Sequence, residues 1–532
     1  MAISQSRTEP QQHTLLPDHL SFLLDTSAYP HPVKEVTLLQ THISWVFLTG
    51  SFAYKVKKPV NFGFLDFSTL QQRKQACMDE LRLNRRLAPS IYLDLLSIYK
   101  VGNHYLLGSA DRDNAPVADY MVQMVQFDQH DLFDRRLTEG TFNPEWMDQL
   151  AVTVADFHLS AETSPTIEHY GDPDFLLQHI LENLSIAERH SSSQHNLNQL
   201  RHLSDMSRKT HKRLDVKLKE RQQCGHIRDC HGDLHLKNIT LYNGQPTLFD
   251  CIEFSDEFRM IDTMNDAAFL VMDCDSVGRS DLGYRFLSRY LEQCGDYAGL
   301  ELLPLYLSYR AGVRGKVSLL LEEELLEEEE ASSTAIKKSH QDAAHYFVLA
   351  EKHLAEKYLD ERRRPELIAI GGLSGSGKSH LALLALKQLS AVIIRSDATR
   401  KRIIKDHPEL PIYGNEMHQL TYRAMFDAAA TSLRAGFSVI LDATFLHPES
   451  RERVADLAAE ESIPLTFYWL DISHETLRER VQRRSSEAAD ISDADLGVLE
   501  AQISRYERPS EPYIIYIDSS GSWPPMKKAV AS

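Results

Sequence analysis

Two short segments of this 532-residue sequence combine polar and glycine residues in spacings that can handle phosphate groups. Residues 231–238 read HGDLHLKN, and residues 372–379 read GLSGSGKS. The first segment is compatible with zinc binding, nucleophilic catalysis or phosphoryl transfer. The second ends in lysine and serine after several glycines, which is typical of a loop that wraps around phosphates. The residues and elements around each segment decide between these chemistries.

Phosphoryl transfer accounts for more of the first segment than zinc binding does. The side chains that a zinc site could use are Cys224, His226, Cys230, His231 and His235. They contain no C-x₂-C pair and fit no common zinc-finger spacing, and nothing nearby indicates an acyl-enzyme nucleophile. His231, Asp233 and Asn238 instead match the H-x-D-x-x-x-x-N spacing of a kinase catalytic loop. We therefore predict that Asp233 accepts the proton of an attacking hydroxyl and that Asn238 binds Mg²⁺.

A hairpin predicted after this segment adds a second metal ligand. Two short apolar strands flank Asn243-Gly244, and Asn-Gly is a strong hairpin signal because both residues tolerate positive φ. With the turn there, Asn238 lies opposite Phe249, and directly opposed residues are about 5 Å apart. Asp250 is therefore expected beside Asn238, where Mg²⁺ needs a carboxylate.

A candidate phosphate-binding lysine lies far upstream. The tetrapeptide FAYK, which ends at Lys55, occupies the place of the kinase V-A-I-K motif, so Lys55 is predicted to contact the α- and β-phosphates. Glu80, on the helix predicted next, is its candidate partner. Lys57 lies on the same strand face as Lys55 and is the weaker candidate. Gly50 is the only glycine of the turn expected over the phosphates, so the full G-x-G-x-x-G motif is missing.

The downstream segment fits G-x-x-x-x-G-K-S without a mismatch, between an apolar strand and a helix. Glycines let the backbone wrap around phosphates, and the helix N-terminus directs N–H groups at them. Lys378 is expected to reach the β- and γ-phosphates, and Ser379 to bind Mg²⁺. The predicted phosphate-binding residues of this loop are Gly372, Ser374, Gly375, Ser376, Gly377, Lys378 and Ser379.

Two carboxylates follow apolar strands of the same region. Asp442 ends the strand SVIL, where a Mg²⁺-orienting carboxylate belongs, and Asp397 is predicted to end another strand. Carboxylates at the carboxyl edge of a parallel sheet face the ligand crevice. We predict that Asp397 is the base for an acceptor hydroxyl and that Arg400 clamps the acceptor. The structural alternative for each aspartate is a helix N-cap.

Residues 366–518 resemble the P-loop kinases that include polynucleotide 5′-kinases and zeta-type toxins. The resemblance is carried by GLSGSGKS, the D-x-x-R of Asp397 and Arg400, ILDAT and the arginine-rich RERVQRR. It implies a lid that donates arginines to the transferring phosphate, with Arg480 and Arg484 as candidates. A basic helix face paired with nearby glutamates is the alternative.

Residues 42–320 resemble the aminoglycoside/choline-kinase branch of the protein-kinase-like fold. The resemblance is carried by HGDLHLKN, FDCIEF and DTMNDAAFL. In that branch HGDxxxxN replaces H-R-D and D-x-x-[E/D] replaces D-F-G, which Asp250 and Glu253 fit, while Asp266 fits a later structural aspartate. The order of the two domains is similar to that of the bacterial bifunctional aminoglycoside phosphotransferase/ATP-binding proteins.

We therefore expect a multidomain protein of the α/β and α+β classes. A bilobal protein-kinase-like domain is predicted at residues 1–360, with its small lobe at about 20–125 and its large lobe at about 126–360. Strands and helices alternate after the basic segment at 360–365, which predicts a P-loop domain with a parallel α/β/α sheet at 366–525.

The combined prediction is an ATP- and Mg²⁺-dependent phosphotransferase with two nucleotide sites and hydroxyl acceptors, with a small molecule expected at the first site. Three alternatives stay open. The second domain is a kinase for nucleic-acid 5′-hydroxyl ends, the chain is a protein kinase, or one site is an inactive nucleotide-binding switch.

Composition bounds the setting of the protein. A formal charge of −18 argues against a general nucleic-acid or anionic-membrane surface. Six cysteines without a C-x-x-C pair predict reduced thiols in the cytoplasm. No signal peptide and no apolar run of the ~20 residues that span a bilayer is found, so no membrane partner is expected. The sequence makes no prediction of oligomeric state.

Overall fold

A computed structural model describes residues 16–518 apart from 64, 110–115, 192–193, 328–331, 356–364 and 488–494. Most of the predicted linker at 360–365 lies outside the described residues, so the predicted domain limits stay predictions.

The small lobe is a six-stranded antiparallel sheet in the order β1-β2-β3-β6-β4-β5. Its strands are β1 (Thr37–Gln40), β2 (Ser44–Leu48), β3 (Phe52–Lys57), β4 (Tyr92–Val101), β5 (His104–Ser109) and β6 (Val117–Val125). β2 and β3 form the predicted hairpin around Gly50, which has φ +90°. Short helix α1 (Asp18–Ser21) precedes the sheet.

Helix α2 (Leu70–Asn84) covers one face of this sheet and carries Glu80. It begins with a capping box, in which Thr69 accepts a hydrogen bond from Gln72 N–H and the Gln72 side chain accepts one from Thr69 N–H. Its buried face includes Cys77 and Leu81, which pack against sheet residues. This packing fixes the distance between α2 and β3.

The large lobe is mainly helical. Its helices are α3 (Phe133–Thr138), α4 (Glu145–Ser160), α5 (Pro165–His169), α6 (Pro173–His190), α7 (Gln194–Gln223), α8 (Asp256–Arg259), α9 (Thr263–Ser276), α10 (Ser280–Cys294), α11 (Leu303–Glu327) and α12 (Ser333–Leu354). Two short antiparallel pairs accompany them, made of β7 (Ile227–Asp229) with β10 (Met260–Asp262) and of β8 (Ile239–Tyr242) with β9 (Gln245–Leu248). Short 3₁₀ turns occur at Phe22–Leu24, Thr26–Ala28, Gln129–Asp131, Leu236–Asn238 and Tyr297–Glu301.

The second domain contains the predicted parallel sheet, in the order β12-β13-β11-β14-β15. Its strands are β11 (Leu367–Gly371), β12 (Ala391–Arg395), β13 (Ser438–Asp442), β14 (Leu465–Asp471) and β15 (Ile514–Asp518). Its helices are α13 (Lys378–Leu386), α14 (Ser396–Asp406), α15 (Asn415–Arg434), α16 (Pro448–Glu460), α17 (His474–Glu487) and α18 (Leu496–Ser504). The alternation of strands and helices was predicted, but α14 and α18 were not.

The two domains share one hydrophobic core, which runs from the helices of the large lobe into the parallel sheet. Helix α10 packs along β12, the edge strand of that sheet. All six cysteines lie among the described residues as free thiols. Within the described part of the chain, no helix is both long and apolar enough to cross a bilayer.

Candidate functional site

The first candidate site brings together charged residues from three separated segments. Lys55 Nζ, on β3, donates to Glu80 Oε1 at 2.7 Å and to Asp250 Oδ1 at 2.6 Å. Asp250 lies just after the β8–β9 hairpin and 195 residues from Lys55. The predicted Lys55–Glu80 pair is therefore present, and a candidate metal ligand joins it.

A second lysine belongs to the same cluster. Lys57 Nζ lies 2.6 Å from Glu80 Oε2, an ion pair whose angles fall outside hydrogen-bond geometry, and it donates to Glu253 Oε1. The side chains of Lys57 and Glu80 are fully buried. Lys57 thus shares Glu80 with Lys55, whereas the sequence analysis treated Lys57 only as the weaker candidate for the phosphate-binding lysine.

Burial and pairing set the charge states of this cluster. Burial opposes the ionisation of Glu80, but Lys55 and Lys57 hold its pKa below the ordinary value. Burial likewise opposes the ionisation of Asp250, and Lys55 keeps the pKa of that carboxyl low. Burial raises the pKa of Glu253, and the contact with Lys57 reduces this effect. The pKa values of Glu80 and Asp250 are therefore lowered in this cluster, whereas that of Glu253 is raised.

The catalytic-loop segment is folded around Asp233. Asn238 Nδ2 donates to Asp233 Oδ2 at 2.8 Å and to Asp233 O at 3.0 Å. Asp266 accepts hydrogen bonds from the backbone N–H groups of His231 at 3.0 Å and Gly232 at 2.9 Å. Gly232 has φ +85°, and a Cβ there would lie 2.8 Å from Phe258 O, so only glycine fits. His231 is a buried support of the loop.

The hairpin that follows confirms the predicted register. Asn243 and Gly244 have φ of 51° and 76°, and β8 pairs with β9 so that Ile239 lies opposite Leu248. Phe249 N–H then donates to Asn238 O at 3.0 Å. The hairpin therefore delivers Asp250 next to the loop, as expected.

Asp250, which lines a cleft, adopts an unusual backbone conformation. Asp250 has φ 62°, a region that non-glycine residues rarely adopt, and its N–H donates to Tyr92 Oη at 3.1 Å. The cleft beside it has an apolar part and a charged end formed by Lys55 and Asp250. The apolar lining includes Leu39, Ile43, Val46, Leu48, Ala53, Met124, Phe127 and Phe249. An apolar cleft with a charged end suits a nucleotide base and its phosphates.

The second candidate site is the loop before α13. Lys378 Nζ donates to the carbonyl oxygens of Gly372 and Leu373, both at 3.0 Å. Gly372, Gly375 and Gly377 have φ of 140°, 81° and 100°. Residues other than glycine adopt these values only with backbone strain. The loop therefore has the backbone conformation that its glycines predicted, with Lys378 folded over it.

A hydroxyl and a carboxylate meet at the start of α13. Ser379 Oγ donates to Asp442 Oδ2 at 2.6 Å. Asp442 is the last residue of β13, as predicted, and is buried. Burial raises the pKa of Asp442, while Lys378 and the Ser379 hydrogen bond oppose that shift. Hydroxyl and carboxylate oxygens are the ligands that Mg²⁺ prefers, so this pair fits the metal, as do Asp250 and Asn238 at the first site.

Asp397 was predicted to end a strand but lies two residues beyond the observed strand end. Strand β12 ends at Arg395, and Asp397 lies in the first turn of α14, where it accepts from Arg400 Nη1 at 2.7 Å. Arg395 occupies the N-cap position, so Asp397 is neither the strand end nor the cap. The guanidinium of Arg400 also lies 5.4 Å from the ring centre of Tyr413.

The two candidate lid arginines are placed differently. Arg480, on α17, donates to Ser376 O at 3.3 Å and thus touches the glycine loop. Arg484 follows on the same helix, but its side chain lies outside the described residues. The alternative was that the basic helix face pairs with nearby glutamates. Among the contacts of the described residues, none joins Arg480 to one of those glutamates.

Sequence reasoning missed the partners that depend on distant packing. The contact of Lys57 with Glu253 joins residues 196 positions apart. Arg395, at the end of β12, pairs with Glu292 of α10 in the other domain. Strand alternation had placed Lys57 on the Lys55 face, which is the one signal that pointed to its role.

Comparisons with known proteins agree with this arrangement. A sequence model of the AAA domain family matches residues 367–509. Uncharacterized proteins of Mycobacterium tuberculosis and Mycobacterium bovis are each 29% identical over 449 residues, which cover 83% of this chain and 84% of each relative.

Solved structures named as kinases match the two parts of the chain separately. A choline/ethanolamine kinase family protein from Mesorhizobium loti is 10% identical and covers 63% of this chain and 99% of its own, with a TM-score of 0.36. A gluconokinase from Sinorhizobium meliloti is 22% identical and covers 30% of this chain and 86% of its own, with a TM-score of 0.24. The region that the AAA domain model matches coincides with the part of the chain that contains the parallel sheet.

Proposed function

We propose that this protein is an ATP- and Mg²⁺-dependent phosphotransferase with two nucleotide sites. The observation that carries the proposal is the contact of Lys55 with both Glu80 and Asp250, beside the Asp233–Asn238 pair. A lysine for the phosphates, oxygen ligands for Mg²⁺ and a carboxylate base are the parts that a kinase-like site requires.

At the first site, positioning and charge neutralisation do most of the work. Lys55 would contact the α- and β-phosphates, and Glu80 holds its ammonium group. Asp250 and Asn238 would hold Mg²⁺, which neutralises charge on the phosphates. Asp233, hydrogen-bonded to Asn238, would take the proton of the acceptor hydroxyl. We propose a small-molecule hydroxyl acceptor here.

At the second site, the glycine loop and Lys378 would bind the phosphates, with Ser379 and Asp442 as ligands of Mg²⁺. Arg480 touches the loop, which supports a role in contacting a bound γ-phosphate. Asp397 would act as the base and Arg400 would hold the acceptor. A hydroxyl acceptor is proposed for this site as well.

One observation favours a second candidate function, a nucleic-acid 5′-hydroxyl kinase in the P-loop domain. Arg400 lies against the ring of Tyr413, which is 51% exposed, beside the candidate base Asp397. An exposed aromatic ring can stack on a nucleobase, and an arginine next to that ring can pair with the phosphate.

The test is ADP release from ATP by the full chain, with sugar, aminoglycoside, choline-like and 5′-hydroxyl oligonucleotide acceptors. Phosphorylated product from at least one acceptor, lost in Asp233→Asn or Lys378→Ala, supports the proposal. Salt-sensitive oligonucleotide phosphorylation that is lost in Lys378→Ala favours the nucleic-acid kinase. Nucleotide binding without turnover, for every acceptor, contradicts the phosphotransferase and favours a switch.

A further inference from the structure

Helix α10 of the first domain closes the edge strand of the second domain's sheet. β12 is the outermost strand of the order β12-β13-β11-β14-β15, and the N–H of Ile393 on it donates to Ser288 Oγ on α10 at 3.0 Å. Edge strands expose unpaired N–H and C=O groups that a protein must cover or satisfy. Here the other domain satisfies one of them, so the contact is a specific part of the fold.

A two-point ion pair across this interface joins Glu292 and Arg395. Arg395 donates from Nε to Glu292 Oε1 at 2.7 Å and from Nη2 to Glu292 Oε2, a two-point pairing. Glu292 is 2% exposed, so its carboxylate depends on this partner and on Arg289, whose Nη1 lies 3.4 Å from Oε2. Leaving a buried charge unpaired is costly.

Arg395 is also a neighbour of the second site. It is the last residue of β12, and the parallel register places it directly beside Asp442, the last residue of β13. Burial raises the pKa of Asp442, and the positive charges of Lys378 and Arg395 oppose that shift. Arg395 therefore pairs with Glu292 of α10 through its guanidinium and is the strand neighbour of Asp442.

We propose that Glu292 is a positioning residue of the second nucleotide site. Its carboxylate holds two nitrogens of Arg395 and so keeps the guanidinium from closing on Asp442. Asp442 then stays available for Mg²⁺ beside Ser379. The first domain thereby completes the site of the second, an inference that rests on the proposed function only in taking Asp442 as a Mg²⁺ ligand.

The same helix also supports the first site. Tyr290 of α10 has its hydroxyl 3.0 Å from His158 Nδ1, and His158 Nε2 lies 3.1 Å from Asp266 Oδ2. Asp266 in turn accepts from the backbone of the catalytic loop. α10 therefore contacts the supports of both sites, which gives a physical reason for the two domains to be joined.

The test is ADP binding to the full chain with Mg²⁺ and with EDTA, measured by calorimetry. Binding that is lost in Lys378→Ala defines the second site. In Glu292→Gln, Arg395 is released towards Asp442, and we expect the gain in ADP affinity from Mg²⁺ to fall roughly tenfold. Affinity without Mg²⁺ should change less than about twofold, since the glycine loop is untouched.

Two further variants separate positioning from domain docking. Glu292→Gln with Arg395→Met removes the Arg395 cation beside Asp442 and should restore the Mg²⁺ effect. Ser288→Ala removes a contact of the same interface that does not involve Arg395. This variant should leave the Mg²⁺ effect on ADP affinity unchanged. If Glu292→Gln folds poorly, Glu292→Asp keeps the charge, displaces the carboxylate and serves the same measurement.

An unchanged Mg²⁺ effect in the folded Glu292 variant overturns the inference. So does equal weakening of ADP binding with and without Mg²⁺, or failure of the double variant to restore the effect, because both are signs of docking alone. A Lys378→Ala protein that loses no ADP binding instead overturns the proposed second site, which is a distinguishable failure.

Discussion

The two candidate sites differ in how their charged groups are held. In the first, Lys55, Glu80 and Asp250 come from separated segments and hold one another in a buried ion-pair cluster. In the second, Lys378 donates hydrogen bonds to two carbonyl oxygens of its own loop. We therefore expect the charged groups of the first site to contribute more to the stability of the fold than the lysine of the second site does. Substitutions can test this contrast.

The largest effect is expected for Asp233→Asn, on first-site turnover. A positioned general base contributes about 10²–10⁴-fold, so acceptor-dependent ADP release in a Lys378→Ala background should fall about 10³-fold. Asp205→Asn makes the same chemical change at an exposed position of α7 and should leave turnover unchanged. Retention of more than about a tenth of the activity in Asp233→Asn would exclude Asp233 as the base.

A smaller but still severe effect is expected for Glu80→Ala, on stability. The substitution leaves two buried lysines without their shared partner, so the free energy of unfolding should fall by about 3–5 kcal/mol. Asp79→Ala, one position earlier on α2, removes an i,i+3 pair with Arg82 and a surface hydrogen bond from Gln75, and should cost less than about 1 kcal/mol. Denaturant-induced unfolding measures both, and equal losses would contradict a structural role for the cluster.

The role of Asp266 in supporting the catalytic loop should appear as a pH dependence of the free energy of unfolding. Burial opposes the ionisation of Asp266, but His158 holds its pKa at about 2, below the ordinary 3.8. Because the folded-state pKa is the lower one, Asp266 stabilises the protein above about pH 4, and the contribution of about 2 kcal/mol is lost towards about pH 2.

The difference in unfolding free energy between the unmodified chain and Asp266→Asn should therefore shrink as the pH falls through that window. Thermal unfolding between about pH 2 and pH 6 measures it. A difference that stays constant with pH would show that the Asp266 carboxylate is not held ionised by His158.

The smallest effect on stability is expected for Lys378→Ala. Its two hydrogen bonds go to backbone carbonyls at a partly exposed position, so the free energy of unfolding should change by less than about 1 kcal/mol. ADP binding at the second site should nevertheless be lost. Destabilisation as large as that of Glu80→Ala would break the contrast between the sites.

Local patterns predicted much of both sites. The glycine loop could be predicted because its motif, the preceding strand and the following helix are contiguous in the sequence. The Asn243-Gly244 turn predicted the register that brings Asp250 beside the catalytic loop, since a two-residue turn determines which residues oppose each other. These inferences need no knowledge of distant packing.

The remaining features depend on contacts between distant segments. Glu253 meets Lys57, and Glu292 meets Arg395, only after whole lobes and domains have packed. Helix α14 was missed because its first turn, with Asp397, directly follows β12 without a turn residue to mark the change. No periodicity within one segment reports such pairings.

The central claim, that the chain has two separate nucleotide sites, is tested most directly by ATP turnover across the acceptor panel in Asp233→Asn, Lys378→Ala and the double variant. We predict that each single variant removes one acceptor-dependent activity and spares the other, and that the double variant removes both. A single substitution that silences both activities in a folded protein would contradict the claim.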